Sequence, residues 1–218
     1  MQAAAIQAKV WSGYGLAAAR VGVGFGHYRP SGPANPISPA NLLGQIEAAF
    51  TVAPSGFDFL RAPRHKDATF TGLFDASAAE VGDYLVGPTG TTYFVAGLAP
   101  LRPPLCVLCN RTLTVLTPGP STTFGAQAGY MGTTAANETS AMTAWPANLL
   151  FEARGRATEV GLPLDLPSAF YSVLMPALSG VDVRTGMILA DDDARRYVVS
   201  ASERSGFGWR LLAQQAVS

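Results

Sequence analysis

The sequence predicts a mainly β protein made of two small, related barrel or sandwich modules, preceded by an N-terminal helix and an extended arm. Short apolar segments separated by turn residues recur about every ten residues, which is typical of a β-sandwich or barrel. A hairpin-like segment occurs twice, with Gly82 and Gly186 at equivalent places. The first 40 residues differ from both modules, because they are rich first in Ala and then in Gly and Pro.

A helix is predicted at 2–20, where Ala is abundant. Ile6, Val10 and Tyr14 recur at every fourth position and would form one apolar stripe, with Trp11 beside it. Two glycines follow shortly after Trp11 and weaken the helix, so we expect it to end early.

The segment 21–40 is predicted to be an irregular, extended arm. Glycine and proline interrupt any regular pattern there, and prolines favour polyproline II geometry. These residues are Gly22, Gly24, Gly26, Pro30, Gly32, Pro33, Pro36 and Pro39.

Short strands are predicted along both modules. The segment 45–52 fits a helix or a strand, and we favour the strand because Thr51 and Val52 continue the alternation. The other predicted strands lie at 57–61, 69–74, 83–87, 91–98, 105–116, 169–175, 186–190, 195–203 and 207–214.

These elements divide the chain into four parts. Residues 1–40 hold the helix and the arm, 41–117 the first β-module, and 146–218 the second β-module. Between the modules, 118–145 is rich in Gly, Ala and Thr. A loop of that length in a compact domain is usually functional or disordered.

The internal repeat is the most specific pattern in the sequence. Two hairpins match without a gap at an offset of 104 positions, which marks either two related modules or a chance convergence of hairpin chemistry. The matched pairs are Gly82 and Gly186, Leu85 and Leu189, Tyr93 and Tyr197, and Val95 and Val199. The second turn contains Asp191, Asp192 and Asp193. We interpret it as a solvated turn rather than a calcium loop, because it lacks the spaced ligands of an EF-hand.

Composition excludes several classes of protein. Charged residues make up 14% of the chain, against about 25% in an ordinary soluble domain, and 15 basic side chains balance 15 acidic ones. An apolar fraction of 48% argues against disorder. The missing cationic excess argues against a free-standing nucleic-acid binder. No apolar run approaches the ~20 residues of a membrane helix, and residues 1–8 do not read as a signal peptide, so we expect assembly in a cytoplasm.

The scarcity of charge indicates either a surface covered by partners or an uncharged polar surface on a monomer. Mixed charges normally keep a soluble surface from associating. We favour the covered surface.

No catalytic, cofactor or metal site is predicted. Cys106 and Cys109 form a single Cys-x-x-Cys within a strand pattern, where positions three apart face opposite sides. We interpret them as packed thiols rather than zinc ligands or a redox pair, because zinc needs four ligands. His27 and His65 are the two histidines. Nothing in their spacing pairs them with a nucleophile, so a hydrolase is the least favoured function.

Several stretches resemble structural proteins of tailed bacteriophages. The segment Gly82–Val86, its turn and residues 92–96 are similar to a hairpin in head-closure (stopper) and related neck proteins, which are built on a small β-barrel. Other stretches that look like phage structural proteins are 28–33, 104–111, 136–139, 145–146, 195–197 and 208–210.

The resemblance implies a non-enzymatic virion part without cofactors, assembled in the bacterial cytoplasm. It implies a homo-oligomeric ring, six- or twelvefold, that lines or seals the DNA conduit between head and tail. Its partners would be copies of itself, portal or adaptor and tail proteins, and double-stranded DNA in the lumen, with no membrane.

The arm and the loop are predicted to contact neighbouring subunits, and the N-terminal helix to dock either on its own domain or on a neighbour. The candidate interface residues are Trp11, Tyr14, Tyr28, Arg29, Pro30, Tyr130 and Trp145. The chain is longer than a single-barrel stopper, which leaves a collar, adaptor, nozzle or baseplate role open. A receptor- or glycan-binding module would use exposed aromatic side chains such as Trp145, Tyr130 or Trp209.

Overall fold

The computed structural model describes residues 3–52, 67–119, 137–154 and 169–216. Helix α1 spans Ala3–Val21, and a short 3₁₀ helix spans Pro39–Asn41. The first barrel consists of β1 (Val23–Tyr28), β2 (Leu42–Thr51), β3 (Thr69–Leu73), β4 (Tyr84–Val86), β5 (Thr92–Gly97) and β6 (Leu105–Cys109). The second barrel consists of β7 (Arg111–Pro118), β8 (Glu138–Arg154), β9 (Ala169–Met175), β10 (Ile188–Asp191), β11 (Arg196–Ser205) and β12 (Gly208–Gln215). The predicted fold class is confirmed.

The two barrels have the same topology. Around the first barrel the strands follow the order β1-β2-β3-β6-β5-β4, and around the second β7-β8-β9-β12-β11-β10. Each strand of the first barrel therefore corresponds to the strand six places later. All neighbouring strands are antiparallel, and closure leaves neither sheet with a free edge.

The sequence repeat corresponds to β4–β5 and β10–β11. Leu85 pairs with Tyr93, and Leu189 pairs with Tyr197 in the same register. Each hairpin is entered through a glycine in a conformation that L side chains rarely adopt, with φ +98° at Gly82 and +88° at Gly186. A side chain at either glycine would strain the backbone, which explains why both hairpins begin with this residue.

The predicted strands that fall on described residues agree with the structure, with one difference. The segment 45–52 is part of β2, whereas 57–61 lies outside the described residues. The predicted strand 105–116 is two strands, because the chain passes from one barrel to the other at Asn110. The Asn110 side chain donates to Leu149 O at 2.9 Å and accepts from Leu149 N at 2.8 Å, and these bonds fix the turn.

The loop predicted at 118–145 is partly strand. Residues 138–145 form the first half of β8, which pairs with β7. The module boundary at 117 also differs from the structure, because β7 completes the second barrel rather than the first.

Helix α1 continues to Val21, beyond its predicted end. The side that faces the barrel includes Trp11, Gly15 and Ala18. Of the predicted stripe, Ile6 is exposed, whereas Val10 and Tyr14 are half-buried. Ala18 is fully buried, and a Cβ at Gly15 would lie 2.8 Å from the Cβ of Asp75. The glycine thus permits close packing, and this packing outweighs its low helix propensity. Among the described residues, no helix combines the length and apolar character needed to cross a membrane.

The predicted irregular arm is corrected at its start, because 23–28 is strand β1. Its glycines are compatible with the strand: a Cβ at Gly26 would lie 2.9 Å from the ring of Tyr28. The irregular part, 29–41, is called the crossover segment below. Asn41 organises it by donating to Pro36 O at 3.0 Å and accepting from the Ser31 hydroxyl at 2.7 Å.

The barrels are joined by a continuous apolar core. Tyr84, Phe94 and Val107 point outward from the first barrel and pack within the core cluster of the second. Tyr84 also donates a hydrogen bond of 2.8 Å to Pro146 O, and its ring meets Trp145 edge to face at 6.1 Å. The junction is therefore packed like a protein interior.

Candidate functional site

A charged cluster with a buried carboxylate at its centre lies where β1 ends and β4 begins. We call it the Asp83 cluster; it consists of His27, Arg29, Glu80 and Asp83. Nε2 of His27 lies 2.7 Å from Oδ2 of Asp83. Arg29 donates to both carboxylate oxygens of Asp83, from Nε to Oδ1 at 2.9 Å and from Nη2 to Oδ2 at 2.8 Å. The Asp83 side chain is 1% exposed and that of Arg29 32%, so the carboxylate of this bidentate pair is buried while the guanidinium reaches solvent.

Further bonds complete the Asp83 cluster. The backbone N–H of Glu80 donates to Asp83 Oδ2 at 2.8 Å, and the Glu80 carboxylate pairs with Arg29 Nη1 at 2.7 Å. Burial alone would raise the pKa of Asp83, but hydrogen bonds from Arg29 and His27 outweigh it and lower that pKa below its ordinary 3.8. The hydrogen bond to Asp83 likewise raises the pKa of Arg29.

The Asp83 cluster joins two segments of the chain, and this structural role suits it better than that of a general acid or base. A carboxylate offers about four acceptor sites, and His27, Arg29 and the Glu80 N–H together supply four contacts to Asp83. These contacts hold the start of the crossover segment against the loop before β4.

The second barrel has apolar residues at the equivalent positions. His27 pairs with Leu85 in the first barrel as Val115 pairs with Leu189 in the second, so His27 corresponds to Val115. By the repeat offset Asp83 corresponds to Met187, and both Val115 and Met187 are buried. The barrel fold does not require charges here. The Asp83 cluster was not predicted from the sequence. The repeat offset contained a signal for it, because it aligns the charged Asp83 with the apolar Met187.

The crossover segment reaches from the Asp83 cluster to the second barrel. The carbonyl oxygen of Pro33 accepts from Trp145 Nε1 at 2.9 Å and from Thr143 N at 2.8 Å. Ile37 packs against the core that both barrels share. The crossover segment thus ties the two barrels together within the chain, on residues that were predicted to contact neighbours.

A groove of about 390 Å³ runs between the barrels. The first barrel contributes Phe94 and Leu105, and the second contributes Phe207 and the charged pair Glu203 and Arg210. Phe207 is 60% exposed, and its ring lies so close to β5 that a Cβ at Gly97 would be 2.8 Å away. The groove therefore offers an accessible aromatic ring next to charged groups.

Large apolar side chains are exposed on both barrels and on α1. Around the end of α1 and the start of β1, Leu16 is 71% exposed, Val21 61% and Val23 52%. Others in the described part of the chain are Ile6, Leu42, Leu43, Val81, Leu101, Phe151, Val198 and Phe207. Exposed apolar side chains are therefore spread over several elements of the molecule.

The candidate interface residues lie in different environments in the structure. Trp145 is 1% exposed and belongs to the core, so its side chain contacts the chain itself. Arg29 is part of the Asp83 cluster, and Tyr28 packs partly against the shared core. Pro30 is half-buried, and Tyr130 lies outside the described residues.

The two candidates on α1 are also half-buried. Trp11 packs against the core of the first barrel, and Tyr14 lies on the same helix. Trp209, an aromatic candidate for glycan binding, is 4% exposed and lies under Arg204, whose Cζ is 5.7 Å from the ring centroid. Neither Trp145 nor Trp209 offers the exposed ring that a glycan site requires.

The two thiols face opposite sides of β6, as predicted. Cys106 packs in the first barrel, whereas Cys109 packs against the shared core. Burial raises the pKa of both thiols well above the ordinary value, which disfavours the reactive thiolate. His65 lies outside the described residues. Within the described ranges, no three His, Cys, Asp or Glu side chains form a group that could hold a metal ion.

The acidic turn after β10 is held together by its own bonds. Asp191 accepts from the Tyr197 hydroxyl at 2.9 Å and from Arg195 N at 2.8 Å. Asp193 pairs with Arg111 at 2.9 Å. Burial and the bond to Asp191 raise the pKa of Tyr197 to about 12. The acids cap the turn and pair with cations.

Comparisons with known protein families, with curated proteins and with solved structures find no match to this chain.

Proposed function

We propose that this chain is a structural subunit of a tailed-phage virion, which assembles with copies of itself into a ring in the neck between head and tail. One observation carries the proposal: large apolar side chains are exposed on different faces, including Leu16 at 71% on α1 and Val198 at 40% on the second barrel. Removing such side chains from water favours association. Two different faces suit the heterologous contacts of a cyclic ring.

Three further features of the structure support the role of a rigid structural subunit. The described strands close into barrels without free sheet edges, the barrels share one core, and the crossover segment binds both of them. The hairpin that resembles neck proteins lies in this rigid part, with Tyr84 at the junction. We expect the ring to be six- or twelvefold and to join portal or adaptor and tail proteins around the DNA. No catalytic role is part of this proposal.

We expect the purified chain to form closed rings of one stoichiometry at micromolar concentration. Mass photometry gives the number of copies, and negative-stain electron microscopy gives the shape. Because the proposed contacts are apolar, the rings should persist in about 1 M salt, where the Debye length is about 3 Å. A chain that stays monomeric at every concentration and salt would contradict the proposal.

The inter-barrel groove favours a second candidate, a tail component that binds bacterial-surface glycans. Exposed Phe207 beside Glu203 and Arg210 provides an aromatic platform with polar groups around it. If so, a panel of surface oligosaccharides will show saturable binding by calorimetry, and Phe207→Ala will weaken it about tenfold or more. Phe151→Ala, which removes another exposed ring, is the matched control. Equal binding by wild type and Phe207→Ala would dismiss this candidate.

A further inference from the structure

Although both barrels are closed, two of their strands extend past a neighbour. Strand β9 pairs with β8 only from Asn148 onward, so the earlier half of β8 has β7 on one side and no described strand on the other. The crossover segment lies against this half. Its Pro33 O accepts from Thr143 N at 2.8 Å and from Trp145 Nε1 at 2.9 Å. An irregular segment therefore binds β8 through a backbone carbonyl where a neighbouring strand is missing.

Strand β2 extends past β3 in the same way. Strand β3 pairs with β2 only at Ala49–Thr51, whereas residues 42–47 lie beside β1 alone among the described strands. We call residues 42–47 the β2 overhang. Leu42 is 47% exposed, Leu43 is 54% exposed, and the residues from there to Glu47 are exposed or half-buried. An uncovered strand side with apolar side chains is a site at which another extended chain can pair.

The two strands correspond at the point where the crossover segment binds. Phe25 pairs with Ile46 as Leu113 pairs with Trp145. The match of β1 with β7 makes Phe25 equivalent to Leu113, so Ile46 is equivalent to Trp145. The crossover segment covers Trp145, whereas Ile46 is half-buried and its neighbour Gln45 is exposed. The β2 overhang is therefore the counterpart of the bound part of β8, without a segment bound to it.

The counterpart of the crossover segment is the connection between β7 and β8, residues 119–137. The crossover segment joins β1 to β2, and the two connections begin alike. Pro30 and Pro118 each stand three residues after a member of the matched pair His27 and Val115. A serine, a glycine and a second proline follow each of them within three residues. The repeat therefore extends from the strands into the segments that leave them.

The β7–β8 connection leaves the second barrel at the end that lies away from the junction of the barrels. The junction is at Asn110, and the pairing of β7 with β8 runs from Arg111 beside it to Pro118 at the far end. There the Gly119 N–H donates to Asn137 O at 2.8 Å and closes the base of the connection. Half of the chain beyond this base, extended at about 3.3 Å per residue, spans roughly 25 Å. That length is enough to reach a barrel of an adjacent copy.

Helix α1 leaves the β2 overhang accessible. The helix contacts β2 after the overhang ends, where a Cβ at Gly22 would lie 2.6 Å from Ala48 O. Leu42, at the other end of the overhang, pairs with Tyr28, the last residue of β1. The exposed leucines therefore lie at the far end of the β1–β2 pair from this contact, and a segment can reach them with α1 in place.

We propose that the β7–β8 connection of one copy binds the β2 overhang of the next, as the crossover segment binds β8 within each chain. This contact rests on the ring assembly proposed above and names the segment and the surface that link adjacent subunits. The partner is a second copy because the connection starts from the end of the second barrel opposite its own first barrel, while the overhang is uncovered. The contact joins two different surfaces, as a cyclic ring requires.

Shortening the connection tests the contact. An Asn-Gly turn replaces residues 120–136, since Gly119 and Asn137 already form the closing pair of a hairpin. We expect a folded chain, judged by circular dichroism and thermal unfolding, that assembles about tenfold more weakly than the wild type by mass photometry. Rings of wild-type stability from this variant would overturn the contact while the proposed assembly stands. Absence of assembly by the wild type overturns both.

A substitution in the β2 overhang tests the other side of the contact. Leu43→Lys adds a charge that opposes strand pairing, so it should weaken assembly about tenfold or more while thermal unfolding stays unchanged. Leu101→Lys, at another leucine that is 56% exposed, is the matched control and should assemble as the wild type does. Equal assembly of the two variants counts against the contact.

Cross-linking identifies the copy that supplies the connection. Chains that carry Leu43→Cys and Ser121→Cys are mixed before assembly and treated with a short bis-maleimide, with the wild type as the control for its own thiols. A cross-linked dimer should form in the mixture and in neither variant alone. In the double variant, a link within one chain instead of between chains would assign the overhang to the chain's own connection and overturn the proposal.

Discussion

Replacing Asp83 with asparagine will lower the free energy of unfolding by about 2 kcal/mol, because it removes the charge of a 1% exposed carboxylate that accepts charge-assisted hydrogen bonds from Arg29. The amide has the shape of the carboxylate but no charge, and its NH₂ group would face the donors of Arg29 and His27. Urea unfolding followed by tryptophan fluorescence measures the loss.

The second barrel supplies the control for this change. A triple variant, His27→Val, Arg29→Thr and Asp83→Met, copies the uncharged residues that the second barrel carries at these positions, Val115, Thr117 and Met187. Replacing a buried ion pair with packed apolar groups is often neutral or stabilising, so the triple variant should be more stable than Asp83→Asn. If Asp83→Asn has the same free energy of unfolding as the wild type, the Asp83 cluster contributes little to stability.

The Asp83 cluster also predicts how stability depends on pH. The pKa of Asp83 is lower in the folded state than its ordinary 3.8, so its contribution is present above about pH 4 and is lost as the pH falls through the folded-state value. Urea unfolding between pH 3 and pH 7 should therefore show a steeper acid loss for the wild type than for the triple variant. Parallel curves would contradict this.

The sequence was sufficient for the architecture because the repeating signals are local. Alternating apolar residues and turn glycines predict strands, and the 104-residue offset between Gly82 and Gly186 predicts two related modules. Strand β1 was missed because Gly22, Gly24 and Gly26 resemble an irregular arm. Its strand character comes from pairing with β2 and β4, which lie far away in sequence.

The candidate site was harder to predict because its contacts are long-range. Asp83 and its partner His27 are 56 residues apart, and Trp145 and its acceptor Pro33 are 112 residues apart. A tryptophan after a Gly- and Thr-rich segment looks exposed until the crossover segment is seen to cover it.

Substitutions of Trp145 distinguish a role in the core from the predicted role at a subunit interface. Trp145→Ala should lower the free energy of unfolding by about 4 kcal/mol, because it empties a site that is 1% exposed. Trp145→Phe keeps much of the ring contact with Tyr84 and loses the bond to Pro33, so it should cost about 1–2 kcal/mol. Both changes are measured by urea unfolding.

Assembly of the Trp145→Phe variant completes the test. If Trp145 acts only within the chain, the folded variant should form the same assemblies as wild type by mass photometry, since its exposed surface is unchanged. A Trp145→Phe variant with wild-type stability but impaired assembly would instead place Trp145 at a subunit contact. If Trp145 belongs to the core alone, the opposite result is expected. The free energy of unfolding of Trp145→Phe falls, while the exposed apolar side chains on α1 and β11 still allow assembly.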